Sequence, residues 1–135
     1  MNLSVLYPLT DISEDSFKDL NDTSVVTRLV YQDTSFLFTG DAPMDVEEKI
    51  LQAGETVSSD VLKVGHHGSK YSSSLGFLQV VDPAYAVISS GEGNKFGHPH
   101  QITLAHLKQL GITMLRTDQL GSILLTSDGK RIVQK

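Results

Sequence analysis

The amino-acid sequence predicts a mixed α/β layered domain. Short runs rich in β-branched and aromatic residues alternate with three stretches of helical periodicity, and proline, serine and glycine punctuate the joins between them. A chain of 135 residues with 39% hydrophobic content is long enough to bury one core.

Leu3, Val5 and Tyr7 alternate before Pro8 and predict a first strand, and the acidic, polar stretch from Thr10 to Asp22 reads as a surface loop. Ser24 to Tyr31 and Ser35 to Thr39, separated by Gln32-Asp33-Thr34, predict a hairpin that delivers Gly40-Asp41 at its end. Pro43, the acidic Asp45, Glu47 and Glu48, the apolar Val46, Ile50 and Leu51, and the closing Gly54 describe a short amphipathic helix. Asp60 to Gly65 is mostly apolar, predicts a buried strand, and ends at His66-His67-Gly68-Ser69. A serine run, Ser72 to Ser74, is placed to cap a helix carrying Leu75, Leu78 and Val81, which stops before Pro83. Ala84 to Ser89 is the next strand, and a turn-rich loop, Gly91 to His100, follows it. Gln101 to Leu110 predicts a helix with Gly111 behind it. Ile112 to Arg116, Ser122 to Thr126 and Arg131 to Val133 complete the strands, the last two joined at Asp128-Gly129. The order is β-β-β-α-β-α-β-α-β-β-β, without repeats.

Composition excludes several functions. A formal charge of -5 leaves no polybasic face for binding nucleic acid through phosphate neutralisation alone, although bound cations would change the local field. With no cysteine, any metal must be held by histidine, carboxylate, amide or water. No apolar run approaches a membrane span, and Met1 to Thr10 lacks the basic start of a signal peptide, so the chain as sequenced is expected to be soluble.

The chemistry-bearing residues gather at strand ends. Asp41 follows a glycine at such an end, where a carboxylate can reach a metal or, equally, cap the helix at Pro43. His66 and His67 are adjacent, so an extended backbone would send them in opposite directions; one can bind an ion while the other orients it or meets substrate. Ser69 supplies a hydroxyl in the following turn, without the G-x-S-x-G context of a hydrolase nucleophile. His98-Pro99-His100 has the spacing of a zinc motif but no Asp-His pair after it. His98, with Asn94, reads as a substrate or phosphate contact, His100 as a helix-start residue, His106 as structural, and Asp118 as a turn residue.

Taken in series, Asn21-Asp22-Thr23-Ser24-Val25-Val26, Phe36-Leu37-Phe38-Thr39-Gly40-Asp41, Leu62-Lys63-Val64-Gly65-His66-His67-Gly68-Ser69, Asn94 through Gly97-His98-Pro99, and Arg116-Thr117-Asp118 followed by Gly121 resemble one family. They are similar to the C-terminal half of the metallo-β-lactamase-like domain of ComEC-type competence DNA-uptake proteins, from about Ser4 to Gly129. The resemblance implies an αββα sandwich with one or two zinc or manganese ions that activate water for phosphodiester hydrolysis. It implies Asp41 and one of His66 and His67 as metal ligands, and His67 and His98 as catalytic groups. Ser69, Asn94 and His98 are implied at the substrate, and Asn21 and Asp22 lie where related hydrolases bring a third ligand.

The family's leading H-x-H-x-D-H signature is missing between Met1 and Lys135, and no histidine precedes His66. Residues 1–135 are therefore expected to be a single partial domain lacking its N-terminal half, with weak or no metal binding of its own. The expected partners are DNA or another phosphodiester, that N-terminal half, and a second copy through the uncovered sheet face. The parent protein, by resemblance, lies in the cell membrane with this domain outside the bilayer. The alternatives are a metallo-hydrolase of another ester or lactam, since fold does not choose a substrate, and a non-catalytic half-domain acting as a structural or partner-binding module.

Overall fold

The three N-terminal strands, β1 (Asn2–Tyr7), β2 (Val26–Tyr31) and β3 (Thr34–Phe38), form an antiparallel meander, and three parallel strands extend it: β4 (Val61–Lys63), β5 (Tyr85–Ile88) and β6 (Thr113–Arg116). The computed structural model describes residues 1–135 and gives one six-stranded sheet in the order β1-β2-β3-β4-β5-β6. Helices α1 (Met44–Gln52), α2 (Leu75–Val81) and α3 (Gln101–Gln109) make the three parallel crossovers. Such crossovers are right-handed, and here each steps the same way along the sheet, so all three helices fall on one face. One core joins them: Val46 and Ile50 of α1, Phe77, Leu78 and Val81 of α2, and Leu107 of α3 pack with Val26, Leu37, Leu62 and Ala86 of the strands. The predicted order of elements is the observed one, with a one-turn α4 (Thr117–Leu120) added before the separate hairpin of β7 (Leu125–Ser127) and β8 (Ile132–Gln134). No helix is long and apolar enough to cross a membrane.

Period-two alternation sorts the strand residues. Leu37, Leu62, Ala86 and Met114 share a register row toward the helices, while Phe38, Lys63, Val87 and Leu115 form a row on the other face. That second face is apolar and more open. Leu3 and Val5 are exposed on it, and Ile123 and Leu125 roof a cavity of about 260 Å³ lined also by Phe36, Phe38, Val61, Lys63 and Val87. Desolvation there holds the Lys63 ammonium below its ordinary pKa, the charge of Asp41 opposing the shift, and its Nζ donates to the Val64 carbonyl at 2.9 Å.

One turn differs from expectation. The β2–β3 loop is only Gln32-Asp33, with Gln32 at φ 53, and the Asp33 amide donates to the Gly129 carbonyl at 2.8 Å. Gly129 sits at φ +90, a conformation that favours glycine, and a Cβ there would require the end of the Gln32 side chain to move. The β7–β8 hairpin turns at Asp128-Gly129 as expected, although β7 begins later than Ser122, at Leu125. The Asp128 carboxylate accepts from the amides of Lys130 and Arg131, each at 2.8 Å, which closes the loop from Asp128 to Arg131.

The start of α2 rests on a buried carboxylate. Glu47 of α1 is 1% exposed and accepts from the amides of Ser73 and of Ser74, the latter at 3.0 Å, while the Ser74 hydroxyl caps α2 by accepting from the Phe77 amide at 3.2 Å. Burial pushes the Glu47 pKa up, and the amide donors only partly oppose this. Glu47→Ala is expected to cost about 2–4 kcal/mol in urea unfolding, because two interior amides lose their acceptor. The folded-state pKa lies above the unfolded one. The protonation-linked stability is therefore full below the unfolded value and lost as pH rises through the folded value. A Glu47→Gln chain should lack that decline.

Candidate functional site

Three strand ends meet at the carboxyl edge of the parallel strands, where open α/β sheets place their ligands. β3 leads through Gly40, at φ +55, into Asp41, whose amide donates to the Ser24 hydroxyl at 3.2 Å. Asp41 does not cap α1: that helix begins after Pro43 with no side-chain cap, so the carboxylate stays free at the rim. β4 leads into a 3₁₀ turn, Gly65–Gly68. β5 ends at Ile88, and its Ser89 carbonyl turns toward the same place.

The histidine turn is not the extended segment that adjacency in sequence had led us to expect. His66 and His67 are both left-handed, at φ 46 and φ 57, so their side chains do not diverge as they would on a strand. Both rings line one cavity of about 230 Å³ with Asp41, Phe96 and His98. Two non-glycine residues in this region cost about 1–3 kcal/mol each and persist only where their surroundings hold them. Several bonds do so here. The His66 amide donates to the Gly40 carbonyl at 3.0 Å, the Gly65 amide to the Ser73 hydroxyl at 3.3 Å, and the His100 amide to the Gly68 carbonyl at 2.8 Å.

His67 is the most constrained of the histidines. Its Nδ1 lies 2.7 Å from the Ser89 carbonyl, which can only accept, so Nδ1 carries the proton. In the neutral ring Nε2 is then a free lone pair, and it faces Asp41 Oδ1 at 3.7 Å. A carbonyl behind Nδ1 and a carboxylate beside Nε2 is the arrangement in which imidazole binds divalent metals.

The third histidine arrives on the loop after β5. His98 lies with ring centroids 5.7 Å from His66 and 6.5 Å from His67. Burial, then the neighbouring His66, His67 and His100, hold its pKa below the ordinary value, with Asp41 opposing. Asn94 closes the loop: its side-chain amide donates to the carbonyls of Gly91 and His98, and its oxygen accepts from the amides of Phe96 and His98. Thr117 anchors the loop's base, donating to the Ser90 carbonyl at 2.8 Å and accepting from the Ser90 amide at 2.9 Å.

Asp41, His66, His67, Asn94 and His98 thus come together. The other sequence-predicted residues do not. Ser69 is buried and its hydroxyl accepts from the Tyr71 amide, outside the cavities. Asn21 and Asp22 sit in the helical turn Leu20–Thr23, adjoining the site only through Ser24. His100 caps α3, its Nδ1 accepting from the Ile102 amide. Asp118 is more than a turn residue: it forms a two-pronged ion pair with Arg116 at 3.0 and 2.5 Å, whose hydrogen bonds hold the carboxyl below the ordinary carboxylate range. Ser24 and Phe96 lie within stretches that carry the family resemblance but were not singled out as site residues, and the Ser89 carbonyl has no sequence motif.

The donor chemistry at the rim, imidazole nitrogen and carboxylate oxygen, suits a divalent ion. The number of donors does not. No group of three or more histidine, aspartate or glutamate side chains is arranged to hold one, and Asp41 with His67 is a pair.

Gly68 sets the approach of the His98 loop, because at φ +81 a Cβ would meet Pro99 Cβ at 2.7 Å. Gly68→Ala is expected to cost about 1–3 kcal/mol in urea unfolding and to shift the His98 ring resonances in NMR spectra. Unchanged resonances would show that the approach does not position His98.

No family model matches the chain. It is 41% identical over 103 residues to ComE operon protein 3 of Bacillus subtilis (strain 168), covering 76% of this chain and 13% of that protein. It is 41% identical over 112 residues to competence protein ComA of Neisseria gonorrhoeae, covering 82% of this chain and 16% of that one. Against recombination protein 2 of Haemophilus influenzae, identity is 38% over 89 residues, 66% of this chain and 11% of the relative. The chain therefore spans only a small part of the length of these relatives. By these matches it belongs to the ComEC-type competence proteins.

Proposed function

We propose that this chain is the ligand-bearing C-terminal half of a metal-dependent phosphodiesterase domain that acts on DNA during competence uptake. The observation that carries the reading is His67: proton held on Nδ1 by the Ser89 carbonyl, lone pair on Nε2 turned to Asp41. The names of the relatives, a competence protein and a ComE operon protein among them, support the biological setting. Zinc or manganese is the ion that this donor chemistry favours.

The chain's own residues divide the work. Asp41 and His67 present donors, the left-handed turn fixes their separation, and His66 and His98 line the space a phosphodiester would enter. Two donors do not close a coordination shell, so the remaining ones would come from sequence beyond this segment, and no hydrolytic step is assigned to the segment alone. The same deficit favours a second reading, a module that binds a partner without catalysis.

Titration of zinc or manganese into the chain separates the two. Weak binding is expected, and Asp41→Ala and His67→Ala should each weaken it further by about tenfold or more. Identical binding by all three proteins would remove these residues from a metal site and leave the non-catalytic reading. An H-x-H-x-D-H run encoded in frame upstream of Met1 is also expected.

A further inference from the structure

One large apolar side chain at the site is left mostly in water. Phe96 is 72% exposed on the loop that Asn94 closes, and it lies beside His98 with ring centroids 6.2 Å apart and planes within 26°. Its neighbour Lys95 places Nζ 5.5 Å from the ring centroid. A phenylalanine ring left in water forgoes the stabilisation that burial would give it. Asn94 holds the loop in this form with four hydrogen bonds, two of them to Phe96 and His98 amides.

The position of the ring is specific. Two cavities meet along His67, Phe96 and His98: the one of about 230 Å³ that contains Asp41 and His66, and one of about 210 Å³ lined by Ser90, Gly91 and Asn94. A ligand that straddles this wall would set a flat group against Phe96 in the second cavity and an attached anionic group in the first, where a divalent cation between it and Asp41 and His67 would offset their lone pairs. A nucleotide has that composition.

Charge decides how such a ligand would be held. With a formal charge of -5, and with Glu92 in the same loop, the chain offers no general attraction to a phosphate backbone. Stacking does not depend on net charge, and base–aromatic stacking is tolerant of sequence because every base has a π face. Bases in a duplex are already stacked on each other, so a single strand, whose bases are free to stack on Phe96, is the favoured ligand.

We propose that Phe96, with Lys95 beside it, is a stacking platform for one base of a single-stranded nucleic acid whose adjoining phosphate lies toward Asp41 and His67. This deepens the phosphodiesterase reading and rests on it for the role of the second cavity.

The test is fluorescence anisotropy of a labelled oligothymidylate of about eight nucleotides, compared with an abasic strand of the same length, with manganese present. The wild-type chain should bind the base-bearing strand more tightly by about five- to hundredfold. Phe96→Ala should erase that preference, Phe96→Trp should keep it, and Lys95→Gln should weaken both strands alike. Equal binding of the two strands by the wild type, absence of binding to either, or a preference that survives Phe96→Ala would overturn the platform. The phosphodiesterase reading fails separately. Metal binding indifferent to Asp41 and His67 would sink it while leaving the base preference in place.

Discussion

The site depends on one backbone constraint, the left-handed turn at Gly65–Gly68 that ends β4. If His66 and His67 continued the strand, alternation would put their rings on opposite faces, and only one could meet Asp41. In the left-handed region the two residues instead bring both rings to one cavity. That conformation is held by β3, through the Gly40 carbonyl, and by the loop before α3, through the Gly68 carbonyl and the close contact of Gly68 with Pro99. Local strain and the surrounding hydrogen bonds are thus parts of one device. The strain is concentrated where the candidate chemistry lies.

The placement of the helices follows from the same sheet. Three crossovers stepping in one direction cover one face and leave the other to Leu3, Val5, Phe36, Phe38, Val61 and Val87, partly roofed by the β7–β8 hairpin. Lys63 lies in this second row, its ammonium already desolvated. The rim that carries Asp41 and the histidines therefore stands at the boundary between a packed layer and an open apolar one.

Sequence periodicity revealed the layered fold because local and tertiary preferences agree. Pro43, Ser74, Pro83 and Gly111 mark helix boundaries by steric and hydrogen-bonding rules that act within a few residues. The helix-facing row Leu37, Leu62, Ala86 comes from short runs that read as strands. What could not be read was set by contacts between distant segments. Nothing in Gly65-His66-His67-Gly68 announces a left-handed turn, since Gly40 and Pro99 impose it from elsewhere. The tautomer of His67 is set by the Ser89 carbonyl, a backbone atom with no sequence signature. Asp41 as a cap was a sound local alternative, and it fails only because α1 starts without a side-chain cap.

Register connects the core to the site. Leu37, Leu62 and Ala86 are paired across β3, β4 and β5, and Asp41, His67 and Ser89 follow them by four, five and three residues. A one-residue slip of β4 would turn Leu62 to the open face and Lys63 into the core, exchanging a buried leucine for an unpaired ammonium. That penalty exceeds what the 3.7 Å approach of His67 to Asp41 could contribute at a half-exposed rim. The site therefore does not hold its own geometry. The apolar row beneath it fixes the register, the register fixes where each strand ends, and the strand ends bring carboxylate, imidazole and carbonyl together before any ion or substrate is present.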